Sequence, residues 1–387
     1  MWHFVSPQIV FGPGALDALN DLAGRHAFVV TDATLVELGL VERVTDRLAR
    51  AGIGTTLFAE VEPDPSLETV QRGAAAARDA APDWIVGVGG GSPLDAAKAI
   101  WVLYERPDLH PAEINPIVDL GLRKQARLLT VPTTSGTGAE VTWAIVLSDP
   151  DAQCKLSLGN RENVADIAIV DPAMARCMPP RLTADTGLDA LTHAIEGYTC
   201  AWHTAMTDGI CVQAARLIFE ALPRAYADGD DLEARETMHN AATLAGLGFG
   251  NAMASMAHAA GHALGARYHV PHGRAVGLLL PYTIEYIAAE APERFAEVAS
   301  ALGCSAATEQ GAARTLAACL RSLSASLGAP ATVAELGISQ AVYTIDLEAL
   351  VDAAFNDASM MTAARPPSYE DLQTFFVYAY EGREIDF

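Results

Sequence analysis

The stretch DWIVGVGGGSPLDAAKAIWVLY, residues 83–104, decides the fold class. Residues 84–88 form an apolar run of strand length. Gly89, Gly90 and Gly91 follow, and then Ser92 and Pro93 open an Ala-rich stretch with helical character. Proline in a first helical turn sacrifices no needed N–H, so the spacing predicts a helix starting near Ser92 or Pro93. A strand that passes through a glycine turn into a helix is the beginning of a βαβ unit. The same alternation extends to either side. Residues 27–32 (AFVVTD), 54–61 (GTTLFAEV) and 126–132 (ARLLTVP) read as strands. Residues 41–52 (VERVTDRLARAG) and 66–80 (SLETVQRGAAAARDA) read as helices, the second opened by a capping serine. Strands separated by helices imply a mostly parallel sheet covered on both faces.

Past 166–180 (DIAIVDPAMARCMPP) the strand-like runs stop. Long Ala- and Leu-rich segments replace them, such as 183–200 (TADTGLDALTHAIEGYTC) and 209–227 (GICVQAARLIFEALPRAYA). The expected architecture is α/β followed by all-α, with the break near Pro179–Pro180. A length of 387 residues also favours two domains over one. A hydrophobic fraction of 51% supplies material for both cores and excludes disorder.

The formal net charge is −23, from 25 basic and 48 acidic residues. So acidic a chain repels phosphate backbones, which excludes nucleic acid as a partner. Any phosphate-bearing ligand must be held by local amides and a few cations. The six cysteines are widely spaced, with no C-x-x-C, and are expected to be free thiols. The first residues, MWHFVSPQIVFGPG, carry no basic region followed by an apolar run, so no signal peptide is expected. The most apolar long stretch, 241–266, contains Asn, Ser and two His and is read as a buried helix rather than a membrane span. The expected setting is cytoplasmic, with no membrane partner.

The glycine turn has the chemistry of a pyrophosphate cradle. Glycines admit a ligand close to the backbone, and a helix N-terminus offers free amides and the positive end of a dipole. It departs from G-x-G-x-x-G: Gly87 and Gly89 match, but position 92 is Ser. Asp32 ends the first interior strand, where carboxyl ends line the ligand crevice of an open parallel sheet. Its carboxylate would accept bonds from ribose hydroxyls and repel a 2′-phosphate, favouring NAD over NADP. It reads equally well as a helix cap or turn residue. Residues 130–142 (TVPTTSGTGAEVT) place several hydroxyls after another strand, which suits ribose or phosphate and is also ordinary loop composition.

Four of the ten histidines fall in MAHAAGHALGARYHVPHGRA, residues 256–275. His258 and His262 are spaced i, i+4 and share one helical face. Asp189 and His193 have the same spacing on another predicted helix. His272 lies beyond Pro271, which is read as a helix end or loop. His269 has no partner at helical spacing and is read as a loop residue. Two helix faces plus a loop histidine can close around one ion, and one carboxylate with two or three imidazoles suits Fe(II) or Zn(II). The competing reading is a set of satisfied core histidines with Asp189 as a cap.

These pieces in order resemble the iron-containing (group III) alcohol dehydrogenase family over nearly the whole chain. The matching residues are VTDATL (30–35), GGGSPLDAAK (89–98), PTTSGTGAEVT (132–142), LDALTHAIEGY (188–198) and the H-x3-H-x9-H spacing of His258, His262 and His272. The resemblance implies a Rossmann-like dinucleotide-binding α/β domain over 1–180 and a helical metal-binding, catalytic domain over 181–387. It implies Asp189, His193, His258 and His272 as metal ligands, and His262 as a catalytic histidine beside the nicotinamide and substrate. For the coenzyme it implies Gly89, Gly90, Gly91, Ser92 and Asp95, with Thr133, Thr134 and Thr137, Lys155, and Asp32 as the residue selecting NAD. The implied activity is hydride transfer between NAD and a small primary alcohol or diol, giving the aldehyde, with Fe(II) preferred and Zn(II) accepted. A homo-oligomer, commonly a dimer, is the expected assembly.

The sequence also departs from the family. Many members carry T-N-P-R near the C-terminus, whereas MTAARPPS (361–368) keeps Thr362 and Arg365 around Ala363 and Ala364. That segment lies near the substrate in the family, so the departure bears on specificity. Asp189 argues against the maleylacetate reductase branch, which typically lacks it. Two other readings compete. A lyase or cyclase of the dehydroquinate-synthase type would also combine NAD with a divalent metal, but it needs cations near the ion, for which Arg267 and Arg274 are scattered candidates. A non-catalytic, metal-stabilised binding protein would respond to metal and not to NAD.

Overall fold

The computed structural model describes residues 3–149, 154–304 and 306–387. The chain divides into two compact units, Met1–Cys177 and Met178–Phe387. The first unit runs β1 (Gln8–Phe11), β2 (His26–Val30), α1 (Ala33–Glu37), α2 (Leu40–Arg50), β3 (Gly54–Phe58), α3 (Leu67–Ala80), β4 (Trp84–Gly89), α4 (Gly91–Glu105), β5 (Arg127–Pro132), β6 (Ala144–Asp149), β7 (Cys154–Gly159) and β8 (Ile167–Val170). Six strands form one parallel sheet in the order β1-β8-β5-β4-β2-β3. The chain leaves β2 for β3 on one side and returns to β4 on the other. The carboxyl ends of β2 and β4 therefore flank a topological switch point, the usual ligand crevice of such sheets.

Side-chain alternation along the strands builds two core layers. Phe28, Val30, Ile85 and Leu128 pack in one layer with Ala97, Ile100 and Trp101 of α4. Ala27, Val29, Val86, Val88 and Leu129 pack in the other with Val41, Val44 and Leu48 of α2. Helix α4 lies tight against β4, since a Cβ on Gly87 would stand 2.9 Å from the Ala97 Cβ. Gly89 has φ +157°, and a Cβ there would meet the Pro93 ring at 2.4 Å. The helix starts at Gly91 with Gly90 as its N-cap, slightly earlier than the spacing predicts. The reason is that the N–H groups throughout a first turn lack intrahelical partners. Pro93 fits any of those positions and does not fix the start. Ser66 caps α3 as expected, its Oγ accepting from Thr69 N at 3.2 Å.

The antiparallel pair β6–β7 stands apart from the main sheet and was not expected. Its pattern is only half apolar: Ile145 and Leu147 are buried, while their neighbours are partly exposed.

The second unit contains α5 (Pro180–Thr199), α6 (Ala205–Ala227), α7 (Leu232–Asn251), α8 (Met256–Tyr268), α9 (His272–Ile287), α10 (Pro292–Ala301), α11 (Glu309–Ser326), α12 (Gln340–Phe355) and α13 (Tyr369–Glu381). Among the described residues it has no strand. Two expectations are corrected here. The stretch 241–266 is not one helix but the end of α7 and most of α8, with a break over 252–255. His272 is not a loop residue. Pro271 is the N-cap of α9 and His272 its first residue. A proline that ends one reading frame for a helix can start the next, because its fixed φ suits a helix entry. His269 ends α8 in the left-handed region, at φ 55°. No helix of the described residues is long and apolar enough to cross a membrane.

The close approach of α4 to β4 yields a prediction. Gly87→Ala should lower stability by about 1–3 kcal/mol through overpacking. The check is a lower denaturant midpoint with an unchanged slope.

Candidate metal centre and nucleotide cradle

Helices α5, α8 and α9 bring Asp189, His193, His258 and His272 together. One ligand atom from each lies within 4.8 Å of all the others. Asp189 Oδ1 is 3.8 Å from His193 Nε2, 3.9 Å from His258 Nε2 and 3.3 Å from His272 Nε2. These separations bracket the edge of ~3.4 Å of a tetrahedron built on metal bonds of ~2.1 Å. Asp189, His193 and His258 are buried, while the His272 side chain is 38% exposed and leaves the centre open on its side. Buried His258 Nε2 has no hydrogen-bond partner. Leaving such a group unsatisfied costs about 1–3 kcal/mol, a cost that a bound ion removes. The donor set and this unsatisfied nitrogen fit a borderline divalent metal.

Burial works against a charged Asp189, but the imidazoles of His193, His272 and His258 outweigh it and hold the carboxyl well below its ordinary range. Burial also disfavours a charged His258. Glu196, through charge and a hydrogen bond, reverses that and raises its pKa.

Glu196 was not singled out in the sequence. Its Oε2 lies 2.5 Å from His258 Nδ1 and accepts from Ser255 N at 2.9 Å, and its Oε1 accepts from Ala257 N at 2.5 Å. The carboxylate thus caps the N-terminus of α8, turns the His258 ring and leaves Nε2 facing the other ligands. A signal was present: Glu196 lies seven residues after Asp189 and three after His193, so the three share one face of α5.

His262 sits beside the ligand set. Its ring stacks on His272 with centroids 5.2 Å apart. His262 Nδ1 is 2.8 Å from Asp357 Oδ2, and Asp357 Oδ1 accepts from Ser359 N at 2.8 Å. Burial lowers the His262 pKa, partly opposed by Asp357. Asp357 was also missed, and sequence spacing carries no signal across a separation of 95 positions. Phe249 was missed as well: its ring lies 3.9 Å from that of His193 and nearly parallel to it.

Neither scattered arginine forms a cationic pocket. Arg274 grips Asp185 with two hydrogen bonds, at 3.0 and 2.7 Å, and Arg267 pairs with Asp346. Arg365 lies over the Tyr286 ring and donates to the carbonyls of Tyr286 and Phe387. Thr362 is buried and donates to the carbonyls of Ala254 and Ser359.

In the first unit, Gly90 and Gly91 lie against the side chains of Thr134 and Thr137. Thr133 N donates to Gly89 O at 2.9 Å, joining the two turns. Asp32 flanks the switch point and caps α1, its Oδ1 accepting from Leu35 N at 3.0 Å. Ser92 Oγ accepts from Asp64 N at 3.3 Å. Lys155 Nζ is 2.7 Å from Asp64 Oδ1. Asp95 has protein partners on both oxygens: Lys98 Nζ at 3.2 Å and Val146 N at 3.0 Å.

Two substitutions test the centre. Glu196→Gln should weaken metal binding about 10–100-fold, as loss of such an outer partner generally does. A Cβ on Gly273 would stand 2.1 Å from Asp185 O and 3.0 Å from the Asp189 Cβ. Gly273→Ala should therefore push α9 off α5, separate His272 from Asp189 and cost about 1–3 kcal/mol. Chelator competition and thermal melting read both effects.

Comparison with known proteins places the chain in a family. Residues 6–172 match the family described as iron-containing alcohol dehydrogenase, and residues 183–380 match the Fe-containing alcohol dehydrogenase family, C-terminal. The NADPH-dependent butanol dehydrogenase of Clostridium saccharobutylicum is 38% identical over 390 residues, covering 100% of both chains. The 1-propanol dehydrogenase of Citrobacter freundii is 37% identical over 370 residues, covering 95% of this chain and 96% of that one. A solved 1,3-propanediol oxidoreductase superimposes with a TM-score of 0.93 at 34% identity, covering 98% of this chain and 100% of the other. The chain belongs to the iron-containing alcohol dehydrogenase family.

Proposed function

We propose that this alcohol dehydrogenase oxidises small primary alcohols or diols with NAD and reduces the corresponding aldehydes. It would use one divalent ion, Fe(II) by preference, held by Asp189, His193, His258 and His272. The observation that carries the metal assignment is the convergence of these four groups around a buried His258 Nε2 that has no partner. When bound, the ion supplies Lewis acidity toward the substrate oxygen and the nicotinamide supplies the hydride acceptor.

The chain's own residues do the rest. Glu196 holds His258 Nδ1, so its Nε2 is kept for the ion. Asp357 engages His262 Nδ1, which favours a proton on that nitrogen and leaves Nε2 to exchange the alcohol proton. Burial keeps His262 neutral more readily than free imidazole, as a proton acceptor requires. Open access on the His272 side gives a small substrate its approach.

The first unit would bind the coenzyme at Gly89, Gly90, Gly91 and Ser92, with Thr133, Thr134, Thr137 and Lys155 around it. Free amides at the start of α4 suit a pyrophosphate. Asp32 supports NAD, because a carboxylate at that strand end repels a 2′-phosphate. The related butanol dehydrogenase is named for NADPH, so the two coenzymes must be compared directly.

The test is anaerobic reconstitution with Fe(II) or Zn(II), followed by an alcohol and aldehyde panel with NAD and NADP. Reduced coenzyme should form with short primary alcohols and favour NAD. Asp189→Ala should abolish metal uptake; stoichiometric metal retained by that variant would overturn the site.

A further inference from the structure

Strand β6 pairs with β7 along one edge, and on its other edge backbone pairing is limited to a single parallel bridge between Ser148 and Ser66. On its other edge the alternate residues Ala144, Val146 and Ser148 present main-chain groups away from β7. Such an edge needs partners of its own. Asp95 Oδ2 accepts from Val146 N at 3.0 Å, Lys98 Nζ donates to Ala144 O at 2.8 Å, and Pro65 O accepts from Ser148 N at 2.8 Å. Asp95 and Lys98 are one turn apart on α4, 3.2 Å from each other, and the Lys98 side chain is fully buried. At Ala144 and Val146, an ion pair on a helix thus stands where a neighbouring strand would.

The hairpin carries Lys155, whose Nζ reaches Asp64 Oδ1 at 2.7 Å. Asp64 N in turn donates to Ser92 Oγ. These links close a ring: the first turn of α4, the loop at 64–66, Lys155 on β7, then β6, and back to α4 through Asp95 and Lys98. Both ends of the ring rest on the helix that follows the glycine turn.

From this ring we infer that Asp95 and Lys98 are positioning residues for the coenzyme, holding the β6–β7 hairpin, and with it Lys155, at the glycine turn. The inference rests on the coenzyme reading above. Asp95 then acts from behind the site, with Oδ1 turned to Lys98 and Oδ2 to Val146 N. A buried ion pair contributes little to stability compared with an apolar pair of the same volume. An apolar pair would leave Val146 N and Ala144 O without these partners and the hairpin without this attachment to α4. Burial pulls Lys98 toward its neutral form, and the charges of Asp95 and Glu140 oppose that.

The experiment measures NADH and NADPH dissociation constants on the full-length, metal-loaded protein, together with amide exchange over 144–159. Lys155→Met and the charge-free double variant Asp95→Leu/Lys98→Met should each weaken coenzyme binding about tenfold. The triple variant should be no more than about twofold worse than the double, because residues acting through one another are non-additive. In the double variant, exchange should rise in β6 but not in β4 or β5. The coenzyme KM should rise while kcat at saturating coenzyme stays within about threefold. Asp95→Asn/Lys98→Gln keeps an acceptor for Val146 N–H and a donor for Ala144 C=O without charge, and should stay within about threefold of wild type.

An additive triple variant, about 100-fold weaker, would overturn the inference. So would double-variant binding within about twofold of wild type, or a tenfold loss in the Asn/Gln pair. If wild-type protein binds neither coenzyme, the coenzyme reading itself fails. The exchange data then still report whether the ion pair holds the hairpin.

Discussion

A buried carboxylate must be matched by donors, and Glu196 is matched by three at once: the His258 ring and the amides of Ser255 and Ala257. The rest of the candidate metal centre depends on this arrangement. The two amides are orphan donors at the start of α8, so the carboxylate meets both a hydrogen-bonding need and the positive end of the helix. That fixes where α8 begins. The beginning of α8 fixes the rotation at which His258 and His262 leave the helix. Because Glu196 shares a face of α5 with Asp189 and His193, one helix supplies two of the four candidate ligands and also aims a third. Gly273 completes the assembly by letting the first turn of α9 touch the α5 backbone, which sets His272 beside Asp189.

This dependence explains what the sequence disclosed. The i, i+4 pairs at 189/193 and 258/262 were legible because helical periodicity is local. The parallel sheet was legible because strands buried on both faces are continuous apolar runs. The break over 252–255 was not, because nothing local forbids a helix through that Ala- and Gly-rich stretch. It is made by a carboxylate some 59 residues away in the chain. Asp357 was hidden for the same reason. The β6–β7 hairpin was hidden because its free edge is completed by side chains of α4, which no strand pattern records.

Charge poses a related constraint. A chain of net charge −23 gains nothing from its global field when it binds an anion. Lysines near the glycine turn are few, and each is balanced: Lys98 by Asp95 and Lys155 by Asp64. An anionic coenzyme would therefore meet mainly main-chain amides at the start of α4. Amides cannot move to meet a ligand as a lysine can, so the backbone geometry must be held in advance. The tight seat of α4 on Gly87 and the Thr133–Gly89 hydrogen bond provide that rigidity.

The departure at 361–368 can now be placed. Ala363 and Ala364 stand where many relatives carry Asn and Pro, yet the residues kept on either side do the anchoring. Thr362 ties the segment to Ala254 and Ser359, and Arg365 fastens it to Tyr286 and Phe387. Asp357 caps the short helical turn Ala358–Thr362 that Thr362 closes. The contacts that set Asp357, and through it His262, therefore survive the change. What the two alanines remove is side-chain bulk and an amide. Ala363 is buried, so its change acts on packing within the helical unit and not on the His262–Asp357 contact.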